Sequence, residues 1–191
     1  QGGADVSYGA MSQFTAGLNE LNNRANVRDT YGADSNAVLA QANMMRWSGN
    51  ADAIRIANGI MGGEMGVQFG NDNTSSGNMI GINRNEISYE KNGDVTMGSQ
   101  MRLATIGAHE GMHVLDNQSG NLERASQVEN GMTLGAAREL AAYGLGADVW
   151  SGLTSKFGIS IGSERDQSFT KEMQAMAAAK KMAEQSGNPG A

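Results

Sequence analysis

The sequence has no cysteine, so neither a disulfide framework nor a thiolate metal site is open to it, and any metal must be held by nitrogen and oxygen. Proline occurs once against 27 glycines. That balance points to many flexible turns, while an apolar content of 39% excludes a low-complexity chain. Aromatic residues make up only 5%, so the core is thin in rings. No apolar run approaches the roughly 18 residues of a membrane span, and the opening "QGGADVSYGA" lacks the basic and apolar regions of a signal peptide. Positive charge is also scarce: the net charge is −6, and no Lys/Arg cluster stands out beyond Lys180 and Lys181, which argues against nucleic acid as a partner. There is no internal repeat of fixed period. A length of 191 residues suits one domain, and a chain that starts at Gln1 is read as a processed product or a piece of a larger parent polypeptide.

What is present divides the chain by period. Residues 1–62 read as a helical N-terminal part, with Asp34 and Ser35 as N-cap candidates for a helix through "NAVLAQANMMRW" and a second helix through "ADAIRIANGIM". Over residues 66–98 the segments "GVQF", "NMIGI", "EISYE" and "DVTMG" are short and β-leaning. Asn92-Gly93 is the dipeptide of a type I′ hairpin turn, so a small, mostly antiparallel sheet of three or four strands is expected. The tract "GNDNTSSGN", residues 70–78, reads as a mobile loop. Helical period returns from Ser99 to about Asn117, "GNLERASQVENG" reads as a loop or short helix, and a further helix starts near Thr133; together they fill residues 99–153. A C-terminal helical part follows over 154–185, rich in Ala, Met and Lys, and residues 186–191 read as a flexible tail. The fold class is α+β.

Both histidines of the chain lie in "IGAHEGMHVLD", Ile106 to Asp116. At 3.6 residues per turn, positions i and i+4 share one helix face, so His109 and His113 can converge on one zinc ion, with Zn–N distances of about 2.0–2.1 Å. Glu110 lies about 100° round the helix from His109, where it can reach a zinc-activated water without being a ligand. The alternative is a helix with two histidines satisfied by neighbours, or a chance pattern on a surface helix. The metal reading gains from two facts: no histidine lies outside the motif, and the motif follows directly on a hairpin-rich segment.

With this H-E-x-x-H motif the chain resembles the zincin metallopeptidases, whose active-site helix follows a small sheet. The resemblance covers His109, Glu110 and His113, and more loosely residues 66–153; it does not reach the first sixty. It implies a zincin-like metallopeptidase domain over 1–191, Zn2+ as cofactor, Glu110 as general base, and an extended protein or peptide substrate held along a sheet edge. A catalytic zinc commonly takes a third protein ligand, and with no further His or Cys it must be a carboxylate. Asp116, Glu123, Glu129, Glu139 and Asp148 are the candidates. Asp116 shares the face of His113, but three ligands from consecutive turns of one helix close a tetrahedron poorly, which favours it as a second-shell acceptor for a ring N–H and leaves it as the alternative ligand. Glu123 and Glu129 belong to a polar stretch, and Arg138 and Asp148 read as surface or supporting charges. Glu139 sits in "GAARELAAYGLGADVW", inside an otherwise small and apolar helix, 26 residues beyond His113, and a lone carboxylate among Ala and Leu needs a partner when buried. A glutamate from a second helix resembles the gluzincin branch. Many gluzincins place an acid four residues after that Glu, where this chain has Tyr143; its hydroxyl could serve an oxyanion, though simple packing is favoured.

The resulting expectation is a zinc-dependent endopeptidase with His109, His113 and Glu139 as ligands, Glu110 as base and Tyr143 at the site. Similar compact modules act as secreted toxin or effector domains of larger bacterial proteins, with delivery out of the producing cell and an immunity or inhibitor protein as partner. Two rivals stand beside it: a metal-dependent hydrolase of a non-peptide amide or cell-wall bond, and a catalytically inactive zincin-fold interaction module.

Overall fold

A computed structural model describes residues 3–158 and 163–186. Helix α1 (Gly3–Tyr31) leads through a 3-10 turn into α2 (Ser35–Trp47) and α3 (Ala51–Gly62). The sheet follows as β1 (Gly66–Gly70), β2 (Thr74–Ser76) and β3 (Met79–Asn83). Then come α4 (Met97–Ser119), the short α5 (Ala125–Glu129), α6 (Leu134–Phe157) and α7 (Glu164–Ser186). The architecture is α+β and mostly helical. Among the described residues no helix is long and apolar enough to cross a membrane.

The sheet departs from expectation. It is mixed rather than mostly antiparallel, with strand order β1-β3-β2: β3 runs parallel to β1, pairing Val67 with Ile80, and antiparallel to β2. The tract expected to be a loop supplies β2, which carries the chain to the far edge before Gly77, at φ 57°, turns it back into the middle position. "EISYE" and "DVTMG" do not become strands. They meet only in the single antiparallel bridge Tyr89 to Val95 around Asn92-Gly93, because neither finds a further partner strand. Of the tail expected at residues 186–191, Ser186 ends α7 and the rest lies outside the described residues.

The starts of α3, α4 and α6 are set by side-chain caps. Asn50 Oδ1 accepts the Asp52 and Ala53 amides at 2.9 and 3.2 Å to start α3. Thr96 and Thr133 do the same for α4 and α6, each through its Oγ1. Asp34, the expected cap of α2, does not cap it: the 3-10 turn gives it helical dihedrals of φ −86° and ψ −6°, and its carboxylate pairs with both Arg84 Nη atoms at 2.8 and 2.9 Å.

Helix α4 runs through the centre, with β2 and β3 on one side, α2 and α3 on another and α6 across it. Its Met101, Leu103, Ala104, Ala108, Met112 and Val114 meet Met45, Ile56, Ile60, Ile80 and Ile82 in one continuous core. Each large apolar side chain removed from water there stabilises the fold by roughly 1.5–3 kcal/mol. The close approach is made at Gly111, where a Cβ would stand 2.5 Å from Ile56 Cγ2. Any side chain at that position would push α3 away from the helix carrying the histidines.

Candidate metal centre

The centre forms where α6 crosses α4. His109 and His113 project from the same face of α4, their ring centroids 5.1 Å apart, and His113 is almost fully buried. From α6, Glu139 reaches across so that Oε1 lies 3.3 Å from His113 Nε2 and Oε2 lies 3.7 Å from His109 Nε2. One ligand atom from each of the three residues falls within 4.8 Å of the others. Tetrahedral zinc with bonds of about 2.0–2.1 Å separates its ligand atoms by about 3.4 Å; the two spacings from Glu139 to the imidazoles, 3.3 and 3.7 Å, lie close to that value, and the group as a whole could hold a metal ion. The donor set fits as well. No hydrogen bond joins Glu139 to either imidazole among the described residues, so the three groups converge without satisfying one another. Burial lowers the pKa of both histidines: His109 falls to about 4, with the His113 charge adding to the effect, and His113 falls too. Neutral imidazoles present the lone pairs that a metal requires.

Glu139 itself is not buried. Its side chain is 54% exposed, so the expectation that burial among Ala and Leu compels it to find a partner is corrected: it stands on the open side of the site, in reach of solvent. What places it is Arg138. The guanidinium of that residue donates to the His113 carbonyl at 3.3 Å, to Asn117 Oδ1 at 2.8 Å and to Asn121 Oδ1 at 3.2 Å. These bonds pin the first turns of α6 to the end of α4.

Glu110 is buried, with Oε1 4.0 Å from His109 Nε2. Burial, helped by the Glu139 charge, pushes its carboxyl up to about 7. Tyr143, one turn beyond Glu139, lays its ring edge to face on His109 with centroids 4.5 Å apart. Its hydroxyl has no hydrogen-bond partner among the described residues, and the side chain is exposed.

Asp116 does not donate a ligand atom to the group and does not accept a ring N–H. Its fully buried carboxylate accepts from Arg124 Nε at 3.0 Å through Oδ1, and Oδ2 has no hydrogen-bond partner among the described residues. The reason is the turn after α4. Asn121 adopts a left-handed φ of 64° and folds the chain back, which brings Arg124 under the helix. Asp116 still raises the pKa of His113 through its charge, against the stronger effect of burial. The other acidic candidates lie elsewhere: Glu123 pairs with Arg55 and Arg124, and Asp148 takes Lys180 Nζ at 2.7 and 2.8 Å.

Sequence reasoning did not single out four contributors. Arg102 is fully buried on α4 and pairs with Glu86 and Asp166; a lone arginine in an apolar helix carries the same signal that drew attention to Glu139. Asn73, Phe169 and Met173 line a cavity of about 250 Å3 beside His109 and Glu110, and nothing in their sequence context marks them.

No protein-family model, no curated protein and no solved structure matches the chain.

Proposed function

We propose that the chain is a zinc-dependent endopeptidase of the zincin type, gluzincin-like in its ligands, with His109, His113 and Glu139 holding the metal and Glu110 as general base. One observation carries this reading. A glutamate 26 residues away on another helix sets its two oxygens 3.3 and 3.7 Å from the two imidazoles of an H-E-x-x-H helix. A plain charge pair explains it less well, because burial disfavours the charged form of both histidines.

Zinc, when bound, supplies a Lewis acid that polarises a carbonyl and makes water a stronger acid. The rest falls to the chain. Glu110 has a pKa close to neutral, so it can take a proton from the attacking water as its oxygen bonds to the carbonyl carbon. When the C–N bond breaks, the same carboxyl returns that proton to the departing amine. Tyr143 keeps the His109 ring in place by packing, and its exposed hydroxyl is free of other partners among the described residues. A role as a secreted toxin or effector module rests only on the resemblance of the motif.

The test is elemental analysis of dialysed protein, followed by digestion of a peptide mixture. One zinc per chain in the unmodified protein, far less in Glu139→Ala, and cleavage that a chelator abolishes are the expected results. Absence of zinc from both proteins would remove the proposal, and zinc without cleavage would favour hydrolysis of a non-peptide bond.

A further inference from the structure

Helix α1 is fastened to the rest of the molecule through its second half. There Val27 is buried, and the Tyr31 hydroxyl accepts the Val67 N–H at 3.0 Å. Glu20 takes the Arg46 guanidinium at 3.0 Å, and Arg24 donates to Asn43 Oδ1 at 3.2 Å. The first half has no such support: residues 10–19 are exposed on every side of the helix. A helical stretch that packs on nothing is marginal in water, so this one is completed by a partner.

Its apolar residues are arranged for one. Met11, Phe14, Leu18 and Leu21 are 66, 66, 45 and 64% exposed, and their steps of three, four and three residues are the a/d repeat of a coiled-coil seam. Ala25 continues the repeat and Arg28 ends it. At about 100° per residue, Leu18 lies about 180° round the helix from Val27, so the stripe faces away from the body. Knobs at this spacing fit the holes of another helix.

Charge narrows the choice of helix. Between Ala10 and Asn23 the one charged residue is Glu20, and it is bound on the body side by Arg24 and Arg46. The flanks of the stripe at Ala10, Thr15, Gly17 and Asn22 are neutral, so it has nothing with which to select a charged partner. A membrane-surface helix carries Lys and Arg on its polar face, and this stretch has neither. What the stripe complements is a second neutral seam like itself. Arg28 decides the orientation. A parallel pair would set the two copies of Arg28 against each other, whereas an antiparallel pair puts them at opposite ends.

We propose that the chain forms an antiparallel homodimer through the stripe of Met11, Phe14, Leu18 and Leu21 on α1. Two-fold symmetry then makes each contact twice: Met11 meets the partner's Leu21, and Phe14 meets the partner's Leu18. A seam of two heptads is small beside the roughly 1,200–2,000 Å2 of a standard interface, so the association is weak and depends on concentration. It is independent of the metal centre, because the stripe faces away from the body.

The experiment is sedimentation equilibrium of the full chain between about 5 and 500 µM, the span in which a small interface associates. The mean mass should rise from one copy towards two. Phe14→Asp and Leu18→Asp should each weaken association by about tenfold or more, since each removes a large apolar side chain from the seam. Their melting at the dilute end should match that of the unmodified protein, because both side chains are exposed in the monomer. With no other cysteine in the chain, Met11→Cys and Leu21→Cys carry one thiol each; mixed and oxidised with diamide, they should give the mixed disulfide in preference to either homodisulfide. A mass of one copy throughout would overturn the proposal, as would a dimer that both aspartate variants leave intact, or homodisulfides in the majority. A chain that stays monomeric and sediments with phosphatidylcholine vesicles would assign the stripe to a lipid surface and overturn it equally.

Discussion

Helices α4 and α6 are of nearly equal length, 23 and 24 residues, and each contributes to the metal group, yet 17 residues of the first are buried against 9 of the second. α4 is enclosed by sheet and helices and carries His113 and Glu110 almost out of solvent. α6 lies across the surface, with Glu139 and Tyr143 exposed. A residue in the first helix is placed by everything around it, because a close-packed interior leaves little freedom. In the second, Leu145, Val149, Trp150 and Leu153 anchor the later turns in the core, while the exposed first turns, which carry Glu139, are tied to α4 by the bonds of Arg138. The site therefore joins an enclosed helix that holds the base and two ligands to the more exposed, lightly fastened first turns of α6, which bring the third.

The largest effect expected from that contrast lies on the enclosed side. Glu110→Gln should lower turnover by roughly 10²–10⁴ while zinc content stays at that of the unmodified protein, since general-base contributions are of that order; paired kinetic and elemental measurements check it. On the lightly fastened side, Arg138→Ala should weaken zinc binding by about 10–100-fold, the usual cost of removing a supporting group, and competition with a chromogenic chelator reads it. No change in affinity there would mean that the packing of α6 alone places Glu139.

A sharper comparison makes the same substitution in both helices. Gly111→Ala in α4 drives a Cβ into Ile56 and should cost about 1–3 kcal/mol, as overpacking does. Gly135→Ala near the start of α6 meets nothing within 4 Å and should stabilise by up to about 0.5–1 kcal/mol, because alanine loses less backbone entropy on folding. Denaturant melts of the metal-free variants report both, and equal signs would erase the distinction between the helices.

The smallest effect is a matter of pH in chelated protein. His109, with a pKa lowered from 6.5 to about 4, is neutral in the fold while the unfolded chain takes up a proton, so its contribution is lost as pH falls through that window. Glu110 is raised from 4.5 to about 7, so the fold holds the extra proton and its contribution is lost as pH rises through that range. The two oppose each other where the windows overlap. Glu110→Gln removes one of them, and its unfolding free energy should therefore climb more steeply between about pH 4.5 and 6.5 than that of the unmodified protein.

Much of the fold was legible because its signals are local. Thr133 caps α6 as its residue type suggests, and the apolar period over Ser99–Asn117 lies within α4 (Met97–Ser119). The sheet was not, because short β-leaning segments carry no record of which edge they join: β2 lies in a Gly/Asn/Ser tract, and β1 and β3 pair in parallel across it. The cap expected at Asp34 failed because Arg84, fifty residues on, takes the carboxylate. Asp116 went to Arg124 because a left-handed turn brought that residue beneath it.

The sequence by itself determined that His109 and His113 share a helix face with Glu110 one position round, since helical period follows from local sterics and spacing alone. Only the tertiary structure decided which carboxylate meets them and what lies beside them. Glu139 comes from the crossing of α6 over α4, and Phe169 and Met173 come from α7, held through a charge cluster. The physical reason is that a contact across 26 or 60 residues depends on how whole helices pack, a sum over many weak interactions that no local stretch of sequence contains.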